Sequence, residues 1–368
     1  MVQSIDEQLD TITQDVADTY TALGAKGATL PAKKGTSNLK ATVDSLPKGG
    51  FPYQLYSVNA NGTASIMTST LDDSTFSGLV ESGKYCFQYF SQCAGMLKGK
   101  VCFPDLKIAN YYSFNNFNGS SREAYVDKDS FPNLTTVTTA FNNFGVKIKG
   151  DLDFPKLQNC TGFYQAFRNV SSDTSFTVRM NSLKTVNYNS FYECFYKTKI
   201  SEFYCDSLEV LPGSGANDGT FYGVFGYCDY LTKVSFANLT TVEGGFSQRG
   251  LDATFNHCKN LVEVNIPKLK EAVLRSTFSG CTSLTEMNFH SLTTMLSTWD
   301  FVFMGCTSLK KVSFPMLQNA KSFGTYTFDG CTALTEIHFR ADMQATVEAL
   351  SGYASKWGAT NATIYFDL

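Results

Sequence analysis

The feature that most restricts the fold of this chain is a pattern it repeats. "TFSGCTSLTEMNF" at 277 to 289 recurs as "TFNHCKNLVEVNI", "VFMGCTSLKKVSF" and "TFDGCTALTEIHF". A Phe precedes a Cys by three residues at Phe90/Cys93, Phe191/Cys194, Phe225/Cys228, Phe255/Cys258, Phe278/Cys281, Phe303/Cys306 and Phe328/Cys331. The last four steps between these cysteines are 30, 23, 25 and 25 residues. Phe117, Phe144 and Phe167 fill the interval after the first pair without a matching Cys.

An apolar triplet spaced L-x-x-L-x-L follows each Cys, clearest at Leu231/Val234/Phe236, Leu261/Val264/Ile266, Leu284/Met287/Phe289, Leu309/Val312/Phe314 and Leu334/Ile337/Phe339. Its last member can be traced back through Cys205, Met180, Phe154, Phe131 and Phe103, giving about ten turns. A turn of this length cannot bury its own apolar face, whereas stacked turns bury a continuous column. Strand side chains alternate, so the residues between the triplet members point outward. At about 4.8 Å per turn, ten turns predict a sheet roughly 50 Å long. The expected core positions are Phe255, Cys258, Phe278, Cys281, Leu284, Phe289, Phe303, Cys306, Phe328 and Cys331.

The repetition also decides how the cysteines read. Cysteine packs readily as a small apolar residue. A reactive thiol needs a microenvironment of its own, which a position filled again on every turn does not supply. No C-x-x-C pair occurs, and thiols on successive turns do not build a tetrahedral metal site. Eleven cysteines in 368 residues, with no visible export signal, read as reduced.

These segments resemble the leucine-rich repeats of the BspA type, also called Treponema-type, over about residues 85 to 343. Such repeats occur in bacterial surface adhesins, protist surface proteins and phage-encoded proteins. The resemblance implies an α/β repeat solenoid, a right-handed leucine-rich-repeat stack with strands on one side and irregular turns on the other. It implies binding rather than catalysis.

The ends read differently. Val2, Ile5, Leu9, Ile12, Val16 and Leu23 follow coiled-coil spacing. Two readings stand: a short oligomerising stalk, with Ile at both kinds of seam position leaning toward a homotrimer, or one amphipathic helix folded back on the body. "ALGAKGATLPAKKGTSNLKATVDSLP" resembles the N-terminal module of tail-associated proteins of phages and prophages. The expected organisation is an attachment module over 1–47, a small β cap or linker over 48–84, the solenoid over 85–343 and a C-terminal helix-strand cap over 344–368. In that cap, "ADMQATVEALSGYASKWG" predicts one helix burying Met343, Val347, Leu350 and Tyr353 and ending at Gly358, followed by a strand in "ATIYFDL".

Catalytic patterns were sought without success. No HExxH, GxSxG or Walker-type loop occurs, and "LPGSGANDGTFYG" lacks a phosphate-binding lysine. His257, His290 and His338 fall at different repeat positions and read as surface or turn residues. Asp127/Asp129 and Asp151/Asp153 could in principle serve a glycosidase but read as solvated strand-edge charges. No enzyme, cofactor or metal is expected. The net charge of -3 and pI near 5.7 leave no footprint for nucleic acid, and no apolar run is long enough for membrane insertion.

The outward strand positions are the candidate binding surface: Arg179, Tyr204, Lys233, Glu263, Asn265, Glu286, Asn288, Lys311 and His338, with charge signs alternating from turn to turn. Thirteen of the 19 tyrosines lie between Tyr85 and Tyr230, a composition suited to sugars or protein epitopes. The expectation is a phage tail-associated adhesin, made in the host cytoplasm and carried in the virion. It would bind a host cell-surface glycan or protein through the solenoid and other virion tail proteins through residues 1–47. The alternatives are a bacterial cell-surface adhesin and a structural virion decoration protein.

Overall fold

The structure is a computed structural model that describes residues 56–58, 64–66, 70–84, 87, 98–117, 123–187, 190–213, 220–243 and 251–368. The helical module expected over 1–47, the Phe90/Cys93 pair and residues 214–219 of the Gly-rich 211–223 loop lie outside them.

The chain winds as a parallel β-solenoid of about ten turns with little helix. Each turn lays one strand on a broad face and a two-residue strand on a narrow face, then returns through tight turns. The broad-face strands pair only with the turns before and after, all in parallel. Every triplet-closing residue from Phe103 to Phe339 points into the core. One strand precedes this set, Thr70–Leu71, inside the stretch read as a β cap, and Thr363–Phe366 follows it.

The broad face is laid in three ladders. The first runs from Thr70–Leu71 to Lys147–Ile148, the second from Leu152–Asp153 to Glu263–Asn265 and the third from Glu286–Asn288 to Thr363–Phe366. Both interruptions fall where the repeat shortens to 23 residues, Phe131 to Phe154 and Ile266 to Phe289. The narrow face stays paired at both levels, through Thr136–Val137 with Asn159–Cys160 and Glu271–Ala272 with Thr294–Met295. It breaks instead between Thr185–Val186 and Val210–Leu211, a level at which the broad strands Phe176–Arg179 and Ile200–Tyr204 are paired. The joints are therefore staggered, and no level described loses both ladders.

Inside, Phe167, Phe195, Phe225, Phe255, Phe278, Phe303 and Phe328 form one column. From Phe225 onward the rings lie 5.5–5.6 Å apart at 3–11°. The cysteines run beside it. Each donates its thiol to the Phe carbonyl of the preceding turn: Cys228 to Phe195 at 3.0 Å, Cys258 to Phe225 at 2.9 Å, Cys281 to Phe255 at 3.1 Å, Cys306 to Phe278 at 3.0 Å and Cys331 to Phe303 at 3.0 Å. Cys281 is thus a packed donor. Burial pushes the Cys228 thiol up to about 12, so it stays protonated and able to donate. One sequence assignment is corrected here. Phe191/Cys194 is not a member of the column, because Phe195 stacks on Phe225 and Thr198 takes the Cys position, donating to Phe195 O at 2.8 Å.

The reversals need left-handed backbone. Residues at one turn position carry positive φ at Lys197, Tyr227, His257, Gly280, Gly305 and Gly330. In the last turns glycine fills it without the penalty a Cβ brings. A Cβ at Gly330 would meet Gly305 Cα at 3.3 Å.

The C-terminal helix is shorter than expected. Ala341–Met343 forms a 3-10 turn and Gln344–Glu348 the only α-helix among the described residues; the chain then breaks at Gly352, with φ of 81°. The predicted helical face bends over the last turn in two pieces. Met343, Val347 and Trp357 are buried, and Leu350 and Tyr353 pack against the core. Trp357 closes the stack: its carbonyl accepts the Phe328 amide at 3.0 Å, its indole donates to Ser351 O at 2.8 Å, and its ring lies 4.6 Å from Phe323.

Candidate binding face

The register of the broad strands turns the outward residues into two rows. In one, Thr177, Glu202, Lys233 and Glu263 are successive partners, and the third ladder continues with Glu286, Lys311, Glu336 and Thr363. In the other, Asp153, Arg179, Tyr204, Ser235 and Asn265 are followed by Asn288, Ser313, His338 and Tyr365. All nine expected binding residues lie on these rows. Parallel pairing with equal strand spacing brings them together, although partners within a ladder are 25 to 31 residues apart in the chain.

The rows are internally neutralised. Arg179 Nη1 lies 2.9 Å from Asp151 and 3.2 Å from Asp153. Burial raises the Asp151 carboxyl, but hydrogen bonds from the Thr177 amide and Arg179 outweigh it and hold the group below its ordinary value. Lys233 meets Glu263 at 2.7 Å, and that hydrogen bond holds the ammonium above the usual lysine value. Lys311 meets Glu336 at 3.7 Å. Tyr204 donates to Glu202 at 2.9 Å, and burial followed by this contact raises its phenol. Asn265 donates to Ser235 at 2.9 Å. Asp127 is likewise tied, 3.1 Å from Lys100, which also holds Asp73 at 3.1 Å. The carboxylates weighed as a glycosidase pair are thus ion-pair members.

His338 is a correction to its reading as a surface or turn residue. It is buried, with its ring nitrogens 3.0 Å from Glu336 and 2.8 Å from Asp367 and its ring stacked 4.8 Å from Tyr365. It clips the last strand to the sheet and presents little of itself to a ligand. Glu286 has the opposite character: exposed, with no ion pair. Asn288 carries a buried Oδ1 with no hydrogen-bond partner.

A second surface was only hinted at by the tyrosine count. On the turn side, Tyr164, Tyr192 and Tyr222 stack 4.9 and 5.1 Å apart. Tyr227 stacks on His257 at 4.6 Å, and Arg168 lies 5.0 Å over Tyr196. These rings cover one another and their neighbouring cations, so much of the tyrosine excess is stacking between turns. Near the N-terminal end of the broad face, a shallow groove of about 490 Å³ is lined by Leu71, Asp72, Asp73, Ser74, Gly99, Lys100 and Tyr125. Among the described residues no His, Cys, Asp and Glu cluster could hold a metal, and no helix is long and apolar enough to cross a membrane.

The family described as BspA type leucine rich repeat region matches residues 251–353 in six copies. Those residues are a BspA-type leucine-rich repeat. The matched span covers the regular Phe and Cys columns from Phe255 and Cys258 onward. No curated protein matches the chain. Among solved structures, a leucine-rich repeat protein from Bacteroides ovatus is 14% identical, with 85% of this chain and 98% of that chain covered and a TM-score of 0.33. A leucine rich cell surface protein from Faecalibacterium prausnitzii is 14% identical over 85% and 96%, with a TM-score of 0.22. The pneumococcal vaccine antigen PcpA is 15% identical over 85% and 96%, with a TM-score of 0.30. At these scores the superpositions carry no argument, and the fold rests on the BspA-type repeats and the strand ladders.

Proposed function

We propose that the protein is a non-enzymatic adhesin whose broad face binds a molecule on a host-cell surface. One observation carries the reading: two register-aligned rows of polar side chains run across successive turns, most of their charges already paired with one another. Such a face is ordered before binding, so a partner need not immobilise long side chains when it docks. Its paired charges favour a neutral or mixed-charge partner, a surface glycan or protein, over a polyanion. The carrier is a phage tail, to which residues 1–47 would attach; this rests on the resemblance of that stretch to tail-protein modules, and trimerisation there would add avidity.

A second reading, a bacterial cell-surface adhesin, is favoured by the BspA-type repeat itself, which also occurs in such proteins. Binding of the purified full chain to candidate host cells tests the shared claim. Lys233→Glu with Lys311→Glu, which places like charges along one row, should lower cell binding at least tenfold while leaving the folded chain intact. Unchanged binding would remove the broad face from the interaction. Probing phage particles and bacterial surfaces with an antibody to the chain separates the two carriers.

A further inference from the structure

The two breaks in the broad face are not alike. At the first, the chain itself spans the joint: Lys147–Ile148 and Leu152–Asp153 are separated by Lys149, Gly150 and Asp151, and Ile148 bridges to Ser172. At the second, no ladder, bridge or backbone hydrogen bond joins Glu263–Asn265 to Glu286–Asn288.

The missing bonds can be named from the neighbouring turns. The Val262 amide donates to Thr232 O at 3.0 Å and the Lys310 amide to Thr285 O at 2.8 Å, but the equivalent Thr285 amide has no backbone acceptor. The Phe236 amide donates to Asn265 O at 2.9 Å and the Phe289 amide to Ser313 O at 3.0 Å, but the equivalent Ile266 amide has none. Val264 is half-buried, whereas its counterparts Val234, Met287, Val312 and Ile337 are buried. The rows also stop alternating here: Glu263 is succeeded by Glu286 and Asn265 by Asn288, so like charges face across the joint.

The other sides are closed at this level. Glu271 and Ala272 pair with Thr294 and Met295 on the narrow face. On the turn side the Phe255 amide bonds to Thr277 O at 3.0 Å, Cys281 to Phe255 O at 3.1 Å, and the Phe255 and Phe278 rings sit 5.5 Å apart. The crossover that leads into Glu286 lacks a counterpart of the Thr298–Trp299 strand found one turn later. The broad strand is also tied beyond its two ends, by the Ser283 amide to Lys259 O at 2.9 Å and the Ser291 hydroxyl to Pro267 O at 2.7 Å, so the strain of the short turn falls on the strand between them.

We infer that this joint is a hinge. The blocks on either side of it tilt about the narrow and turn sides, and the broad face opens and closes between Glu263–Asn265 and Glu286–Asn288. This gives an otherwise rigid face one place at which its curvature can adapt, whatever it binds.

Hydrogen exchange on the full chain, with peptides resolved by mass spectrometry, tests it. The Ile266 and Thr285 amides should exchange roughly tenfold or more faster than those of Phe236 and Val262, the effect of one missing backbone bond on local opening. A second measurement uses Asn265→Cys/Asn288→Cys across the joint, with Ser235→Cys/Asn265→Cys across a paired ladder as control. The joint pair should crosslink several-fold more slowly than the control and, once closed, should bring the two amides to their neighbours' protection. Equal protection in the unmodified chain would overturn the hinge. So would crosslinking at the control's rate, which means the face is closed, or no crosslinking at all, which means the gap never closes.

Discussion

The two halves of the solenoid fill the same cross-section in different ways. In the C-terminal turns two Phe columns stack nearly face to face, Phe255 to Phe328 and Phe289 to Phe339, and a thiol bonds the carbonyls of Phe255, Phe278 and Phe303. In the N-terminal turns stacked pairs such as Phe114 and Phe141 at 9° are interlocked with edge-to-face ones: Phe141 and Phe144 at 88°, Phe144 and Phe167 at 87°, Phe114 and Phe144 at 85°. Both arrangements are fully buried. The difference teaches that this solenoid requires a filled volume on each turn rather than one particular side chain. Five Phe carbonyls accept a thiol from the next turn, and one of them, Phe195 O, also accepts the Thr198 hydroxyl.

Truncating a ring should have the largest effect. Phe278→Ala leaves a gap between Phe255 and Phe303 and is expected to destabilise by about 3–5 kcal/mol. Phe144→Ala has Phe131, Phe141 and Phe167 around it, whose edges can lean into the space, so its loss should fall at the lower end. Denaturant midpoints of the two variants measure the difference. Equal losses would mean that the interlocked rings are as unable to collapse as the stacked ones.

Alkaline pH should come next, and it reaches both halves, because buried thiols lie in each: Cys102, Cys160, Cys194 and Cys205 before the regular column, and Cys228, Cys258, Cys281, Cys306 and Cys331 within it. Burial raises the Cys228 thiol from 9.0 to about 12 in the folded chain. The unfolded chain therefore releases its proton first. Stability from this group is complete below pH 9 and falls between pH 9 and 12, by about 1.4 kcal/mol per unit for each such thiol. Thermal melts at pH 8 and 10 should show a marked drop, drawn from buried thiols in both halves. A melting temperature unchanged over that range would contradict the buried-donor assignment.

Much of the regular half could be read in advance, because one spacing carries both its core and its outward rows. Once Leu284, Met287 and Phe289 are inward, Glu286 and Asn288 must be outward. The errors arose where spacing misleads. Phe191/Cys194 has the right interval but lies in a turn with two inward Phe residues, and only the ring stack shows that Phe195 is the one in register. His338 occupies an outward position, yet Asp367 and Tyr365, supplied by the last strand, bury it. The terminal helix pattern continued through Gly352, where the backbone must turn left-handed to bring Trp357 over Phe323. The 23-residue steps were visible as intervals, but an interval does not say which face will part.

Replacing thiol donors should cost less than either change above. Cys281→Ala loses the bond to Phe255 O and a small volume, about 1–3 kcal/mol. Cys281→Ser keeps a donor at the site and should recover part of that loss. A serine variant less stable than the alanine variant would show that the column is selected for apolar volume alone.

The smallest effect is expected on the broad face, where core and surface can be set against each other. Lys233→Ala removes the 2.7 Å contact with Glu263, a carboxylate about half exposed. Exposed pairs of this kind contribute about 0.2–1 kcal/mol, and salt screens them further. The melting temperature should therefore barely move, and any loss should vanish in 1 M salt. Cell binding has no such protection, because removing Lys233 leaves Glu202 and Glu263 facing a partner without the cation between them. A variant stable to within about 0.5 kcal/mol but weaker in binding would separate what holds the solenoid together from what its face is for. If stability and binding fell together, the paired rows would be part of the scaffold and the binding surface would have to be sought on the turn side.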